Sequence, residues 1–367
     1  MRVFHINGDQ FVELPALPAE LPAAGFVWIG CTRRVFELGS PEIQDALQRW
    51  TGGQLFELHV SDLLNNQLPS HFDYTTTYDL LVFRRLAAIG ARGETSDLEL
   101  LDSAAAAKRT FDSIDTSPVG FAVFDRVLLT VHPAGCLVRE YFTQRLVQLG
   151  QPGEQRGATR LPTSPADLML RMVNHMVDGY LELRRLLTRQ LGQLQEQLLN
   201  PHSHFDDWSF LLDSRNALHL LEDVCEDQRS AVQEWIDTLA QWPAPKDDVA
   251  AREQELLRVR SRDVLEHIER VLSHVRRLEQ SAEGAVQMHF SALSNRTNAI
   301  MRTLTVLTAI FLPLNLITGF FGMNFDALPL IHSATGVWVA FAIMTAVGLG
   351  LALFFWRKRY LGTHRIP

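Results

Sequence analysis

The chain has 367 residues, of which 47% are hydrophobic and 21% charged, with a formal net charge of −8. That length suits about two domains, and a mean hydropathy near zero beside so many charges implies a soluble part joined to a more apolar one. The negative balance excludes an ordinary nucleic-acid binder, which needs basic surface to neutralise phosphates.

The first residues, MRVFHINGDQFVELPALPAEL, have no apolar run after a basic start, so no secretory leader is expected. Cys31, Cys136 and Cys225 lie far apart without a CxxC spacing, as expected of a chain facing a reducing cytosol. Neither a P-loop, HExxH, GxSxG nor a dinucleotide fingerprint is present, so an enzyme is not expected.

Residues 1–160 read as a mixed α/β cytosolic domain. The β-rich runs GFVWIGC (25–31), YDLLVFRRL (78–86) and VGFAVFDRVLLTVHP (119–133) alternate with the helical SPEIQDALQRW (40–50) and REYFTQRLVQL (139–149). Residues 91–111 read as a surface excursion and 149–165 as a linker rich in Gly, Pro, Thr and Ser.

From Ser164, a cap with Pro165 at the first helical position, the chain turns helical, and 164–245 reads as a helical hairpin region. Its break holds PHSHFDD (201–207), where His202, His204, Asp206 and Asp207 suit either zinc or helix capping. Residues 249–299 read as a long stalk helix. Val264, Ile268, Val271, Val275, Leu278, Ala282 and Ala285 recur at alternating steps of four and three, a heptad seam that suits assembly of several copies or packing on the subunit's own domain. Only Gly284 interrupts the pattern before the apolar segment, so stalk and first span are expected to form one helix that couples cytosol to membrane.

Between Arg302 and Asp326 lie 23 residues without Asp, Glu, Lys or Arg, and between Asp326 and Arg357 lie 30. Each can hold a spanning helix of about 20 residues. They place spans at 300–321 and 337–356, an extracytoplasmic loop at 322–336 and a basic tail at 357–367. Arg296, Arg302 and RKRYLGTHR flank the pair while the loop lacks Lys and Arg, so both termini are expected in the cytoplasm of a multi-pass protein of the inner (cytoplasmic) membrane.

At 100° per residue, Leu304, Thr308, Leu312, Asn315, Gly319 and Gly322 fall in one stripe less than a quarter turn wide. The remaining face, with Val306, Ile310, Leu314, Ile317 and Phe321, suits lipid or the second span. Asn315 and Gly319 also suit plain helix contacts, through a hydrogen bond and close approach. Two helices cannot enclose a water-filled path, so transport requires several copies around a common axis.

The segment SNRTNAIMRTLTVLTAIFLPLNLITGFFGMNF (294–325) resembles the signature of the CorA family of divalent-cation transporters, whose first membrane helix ends in Gly-Met-Asn, here Gly322, Met323 and Asn324. RDVLEHIERV (262–271), VLLTVHP (127–133) and LMLRMVNHMVDGYL (168–181) are similar to family patterns in the same order. The resemblance implies a funnel-shaped homopentamer: an α+β cytosolic domain, a stalk helix lining the pore and a second span outside it. It places Asn298, Leu304, Leu312, Asn315, Gly319 and Asn324 along the pore. Mg2+ is then cargo, with Co2+ and Ni2+ as further candidates, and regulator, held by cytosolic acids that no motif here selects. No cofactor is implied; the partners are self, divalent cations and the membrane.

Phe321 replaces a tyrosine common in the family. The loop reads Asp326-Ala327-Leu328-Pro329-Leu330 where Met-Pro-Glu is typical, which leaves Asp326 as its acid. A zinc transporter resembling ZntB is the alternative that His332 favours, since imidazole suits zinc better than magnesium. A membrane scaffold that does not conduct ions is the alternative outside transport.

Overall fold

A computed structural model describes residues 1–8, 10–88, 114–149, 161–199, 208–245, 247–323 and 334–358. The expected excursion at 91–111 and the PHSHFDD break at 201–207 lie outside them. The chain divides into two compact units, Met1–Glu283 and Gly284–Pro367.

Among the described residues the first unit has nine strands, β1 (Arg2–Asn7), β2 (Gln10–Leu14), β3 (Phe26–Thr32), β4 (His71–Tyr74), β5 (Asp79–Arg84), β6 (Ala87–Ala88), β7 (Ile114–Asp115), β8 (Pro118–Val123) and β9 (Val127–His132). Seven form a mixed sheet in the order β2-β1-β3-β9-β8-β5-β4, and β6 pairs with β7 separately. The only parallel pairing in the large sheet among the described residues is β3 with β9, in register from Val27 opposite Val127 to Thr32 opposite His132. These two central strands are buried on both faces, which explains why FVWIGC and VLLTVH read as continuous apolar runs and do not alternate.

Helices α1 (Arg33–Thr51) and α2 (Glu57–Leu64) cover one face. There Phe36, Ile43, Leu47 and Leu63 join Val27, Ile29, Leu80, Ala122, Leu129 and Val131 in one core. Two glycines set close approaches. Gly25 has φ of 78°, and a Cβ there would fall 2.1 Å from the Ile6 carbonyl oxygen; one on Gly120 would fall 2.3 Å from Leu63 Cδ2, where α2 crosses β8.

Behind α3 (Leu137–Leu149), helix α4 (Pro165–Asp178) packs on the other face, against β3, β8 and β9. Its start follows the expectation: Ser164 is extended, its Oγ accepts from Asp167 N at 3.2 Å, and Pro165 is the first helical residue. Gly179 separates α4 from α5 (Tyr180–Leu199), a break the sequence reading ran through.

Helix α6 (Trp208–Ala240) lies against β4 and β5, and α7 runs as one element from Asp248 to Phe321. Trp235 Nε1 donates to Ser261 Oγ at 2.8 Å, joining α6 to α7, and Tyr180 Oη lies 2.8 Å from His274 Nδ1, joining α5 to α7. Along this part of α7, Val264, Ile268, Val271, Val275 and Leu278 are all buried. Burying each such side chain contributes roughly 1.5–3 kcal/mol. Of the two uses the heptad seam allowed, this stretch takes packing within the subunit.

Candidate functional site

The second unit consists of α7 from Gly284 onward and α8 (Ala334–Arg357). Both α7 and α8 are long and apolar enough to cross a membrane, with mean hydropathies of 1.9 and 2.3 in their most apolar windows. Only 6% of each window is buried, unlike a helix in the core of a soluble domain.

The two helices meet along complementary faces. On α7, Val306 is buried and Ala309, Ile310, Pro313, Leu314, Ile317 and Phe321 are half-buried, a stripe of steps near three and four. On α8 the half-buried positions are Ala340, Met344, Val347, Gly348, Leu351, Ala352 and Phe355. Small residues recur on this face because a helix without bulky side chains lets its neighbour approach closely. The bulky residues that the sequence set aside for lipid or the second span therefore serve the second span; Ala309 and Pro313 complete that face and were missed, being small or imino residues that carry little periodic signal.

Asn298, Leu304, Thr308, Leu312, Asn315, Gly319 and Gly322 are all exposed on the single chain. Leu304 and Leu312 are 57% and 68% exposed, within the range that Leu307 and Leu316 set on the same helix at 46% and 75%. Thr308 Oγ1 donates to the Leu304 carbonyl at 2.9 Å, and Thr303, Thr305 and Thr318 likewise bond back to their own helix. Such bonds satisfy a hydroxyl donor inside an apolar segment while leaving its oxygen as an acceptor.

Pro313 stands inside α7 and removes one backbone donor, so the Ala309 carbonyl lacks its usual intrahelical partner. The helix ends at Phe321, one residue before Gly322 closes the stripe: Gly322 N donates to the Thr318 carbonyl at 2.9 Å, and Met323 N to that of Phe320 at 3.4 Å. Gly322 and Met323 thus follow directly on the end of α7. Asn324, Asp326 and His332 lie outside the described residues.

A mixed α+β unit followed by a helix of 74 residues and a second apolar helix defines the class as a membrane protein with a sizeable extramembrane domain. Residues 97–359 match the family described as CorA-like Mg2+ transporter protein, and the chain belongs to that family. It is 32% identical over 100 residues to the cobalt/magnesium transport protein CorA of Thermotoga maritima, covering 27% of this chain and 28% of that one. It is also 32% identical over 101 residues to the magnesium transport protein CorA of Haemophilus influenzae, covering 28% and 32%. Each alignment thus spans less than a third of the curated relative. In fold the chain resembles the complete CorA magnesium transporter of Methanocaldococcus jannaschii, with a TM-score of 0.68 over 97% of this chain and 98% of that one, at 17% identity.

Proposed function

We propose that the chain carries divalent cations, Mg2+ first and Co2+ or Ni2+ as further cargo, across the cytoplasmic membrane through a homopentameric pore. One observation carries the reading. The single chain covers Val306, Ile310, Leu314, Ile317 and Phe321 with its second span and leaves the rest of the first span exposed; of that surface Leu307, Phe311, Leu316 and Phe320 suit lipid, whereas Thr308, Asn315, Gly319 and Gly322 on the stripe from Leu304 to Gly322 are polar or small residues that a lipid-facing surface does not need. Other copies of the same stripe are its natural neighbours around an axis.

In this arrangement Asn298 lies at the inner end, Leu304 forms an apolar constriction that stops flow by dewetting, and Thr308, Leu312, Asn315 and Gly319 line the path. Asn324, with Gly322 and Met323, forms the outer ring, and Asp326 supplies the loop acid. Mg2+ prefers near-ideal octahedral oxygen coordination and releases water reluctantly. Neutral amide oxygens accept hydrogen bonds from the ion's hydration shell without binding so tightly that the ion stays. The basic flanks put residues 1–160, the helical 164–245, the stalk 249–299 and the tail 357–367 in the cytoplasm, with 322–336 outside.

The test is ion flux into liposomes holding the purified protein, with Mg2+, Co2+, Ni2+ and Zn2+ compared at equal and unequal pH. Mg2+ flux without a pH gradient supports the reading. Zn2+ flux alone, driven by the gradient, replaces it with a ZntB-like activity, and absence of flux for every ion leaves a non-conducting scaffold.

A further inference from the structure

Helices α6 and α7 run antiparallel, and a ladder of charged side chains crosses between them. Arg215 Nη2 lies 3.3 Å from Glu283 Oε1, His219 Nδ1 lies 3.1 Å from Glu279 Oε1, and Arg276 Nε donates to Glu222 Oε1 at 2.6 Å. Arg276 also reaches Glu226. Each step of three or four residues up α6 meets the matching step down α7, so the rungs stack on one face.

The ladder is unbalanced at its middle. Its carboxylates are Glu222, Glu226, Glu279 and Glu283, whereas its guanidiniums are Arg215 and Arg276. Counting carboxylates against guanidiniums alone, the ladder has two more acids than arginines, and the His219 imidazole stands among them. Among the described residues, His219, Glu222 and Glu279 alone bring three metal-ligating atoms within 4.8 Å of one another.

We infer that His219, Glu222 and Glu279 bind one divalent cation of the kind that accepts imidazole, namely Zn2+, Co2+ or Ni2+. A tetrahedral ion with ligand bonds of about 2.0–2.2 Å draws its donors to roughly 3.4 Å apart, so the 3.1 Å separation of His219 and Glu279 is near the bound arrangement. Glu222 closes the remaining gap by side-chain rotation, which its half-buried surface position permits. Arg276 then stands as the outer partner that orients Glu222, the role such neighbours take around metal ligands. Water fills the fourth position. The imidazole sets the selectivity, because Mg2+ favours all-oxygen surroundings and Zn2+, Co2+ and Ni2+ do not require them.

This site does not depend on the transport reading, since its three ligands all lie in the unit Met1–Glu283. Its chemistry also differs from that of the expected acidic Mg2+ regulator. The test is isothermal titration of the full-length protein in detergent with ZnCl2, repeated in a large excess of MgCl2, for the wild type, His219→Ala and Glu279→Gln. The inference expects one Zn2+ per chain that Mg2+ does not displace and that both substitutions remove or weaken by more than about 100-fold, beyond the cost of losing an outer partner. Glu279→Gln keeps the volume of the side chain, so its result stands even where His219→Ala lowers folding yield. Equal Zn2+ stoichiometry and affinity in all three proteins, or displacement by Mg2+, overturns the inference and leaves an interhelical ion-pair rung.

Discussion

Leu314 of the first apolar helix faces Gly348 of the second: a Cβ placed on Gly348 would lie 3.8 Å from Leu314 Cδ1, at ordinary van der Waals contact. The space admits one methyl group and little more. Gly348→Ala is therefore expected to leave the melting temperature of the detergent-solubilised protein nearly unchanged. Gly348→Phe forces the helices apart and is expected to cost about 1–3 kcal/mol, the usual penalty of overpacking. A phenylalanine variant that melts with the wild type would show that the two helices do not pack at this level.

A second expectation concerns acid stability. His132 is fully buried, its Nε2 lies 2.8 Å from Thr130 Oγ1, and burial, with Arg139, Arg85 and Arg33 adding to it, pushes its pKa down to about 3. In the unfolded chain the same group titrates near its ordinary value of about 6.5. Between these values the unfolded state holds the extra proton, so this contribution is complete above about pH 6.5 and is lost as pH falls towards 3, at up to about 1.4 kcal/mol per pH unit. His132→Asn should flatten the acid limb of a melting-temperature profile by one proton's worth, whatever its effect at neutral pH. Parallel limbs for the two proteins would show that His132 is not held neutral.

How much of this was legible beforehand depended on how local each signal is. The Ser164 cap, the β8–β9 region and the two apolar helices are written in contiguous residues, and the sequence shows them directly. The order of the seven-stranded sheet is not, because the pairing of Val27 with Val127 joins residues a hundred positions apart through no local pattern. The seam from Val264 to Leu278 has the right period for two different uses, and periodicity alone does not say whether the partner is α6 or another copy. On the candidate pathway, the exposed stripe could be drawn on a helical wheel. His219 and Glu222 offered only a three-residue spacing on one helix, and Glu279, which makes the cluster, comes from another.

The proposed constriction gives a third expectation. Leu304 is 57% exposed on the single chain, so a polar residue there need not disturb the fold of one copy. Replacing an apolar constriction by an amide lowers the barrier to wetting. Leu304→Asn should leak Mg2+ into liposomes even when internal Mg2+ is high, a condition expected to close the wild type. Unchanged closure would place the gate elsewhere.

Orientation can be checked independently of transport. Because the basic residues flank the pair of spans and the loop has none, a cysteine at Ser333 should react with an impermeant thiol reagent added outside cells, and one at Thr363 only after lysis. The reverse pattern would turn the protein over in the membrane and put Asn324 at the cytoplasmic mouth.

Asn324 is the most exacting test of the proposed mechanism. If its amide oxygen meets a hydrated ion at the outer mouth, Asn324→Ala removes one acceptor from each copy of a ring. A hydrogen bond to a water of the hydration shell contributes about 0.5–1.5 kcal/mol, so losing one in every copy of the ring should lower Mg2+ uptake by more than about tenfold. Oligomer mass by light scattering should stay the same, because a side chain facing water leaves no cavity behind it. Asn324→Asp should separate binding from release: it keeps an oxygen acceptor and adds a negative charge in each copy, so ions are held more tightly, leave more slowly and are selected more by charge than by hydration. Uptake should then saturate at lower Mg2+ with a lower maximal rate. Near-normal flux in the alanine variant would sink the outer ring, whereas a collapsed oligomer would assign Asn324 to holding the loop after α7 rather than to the ion.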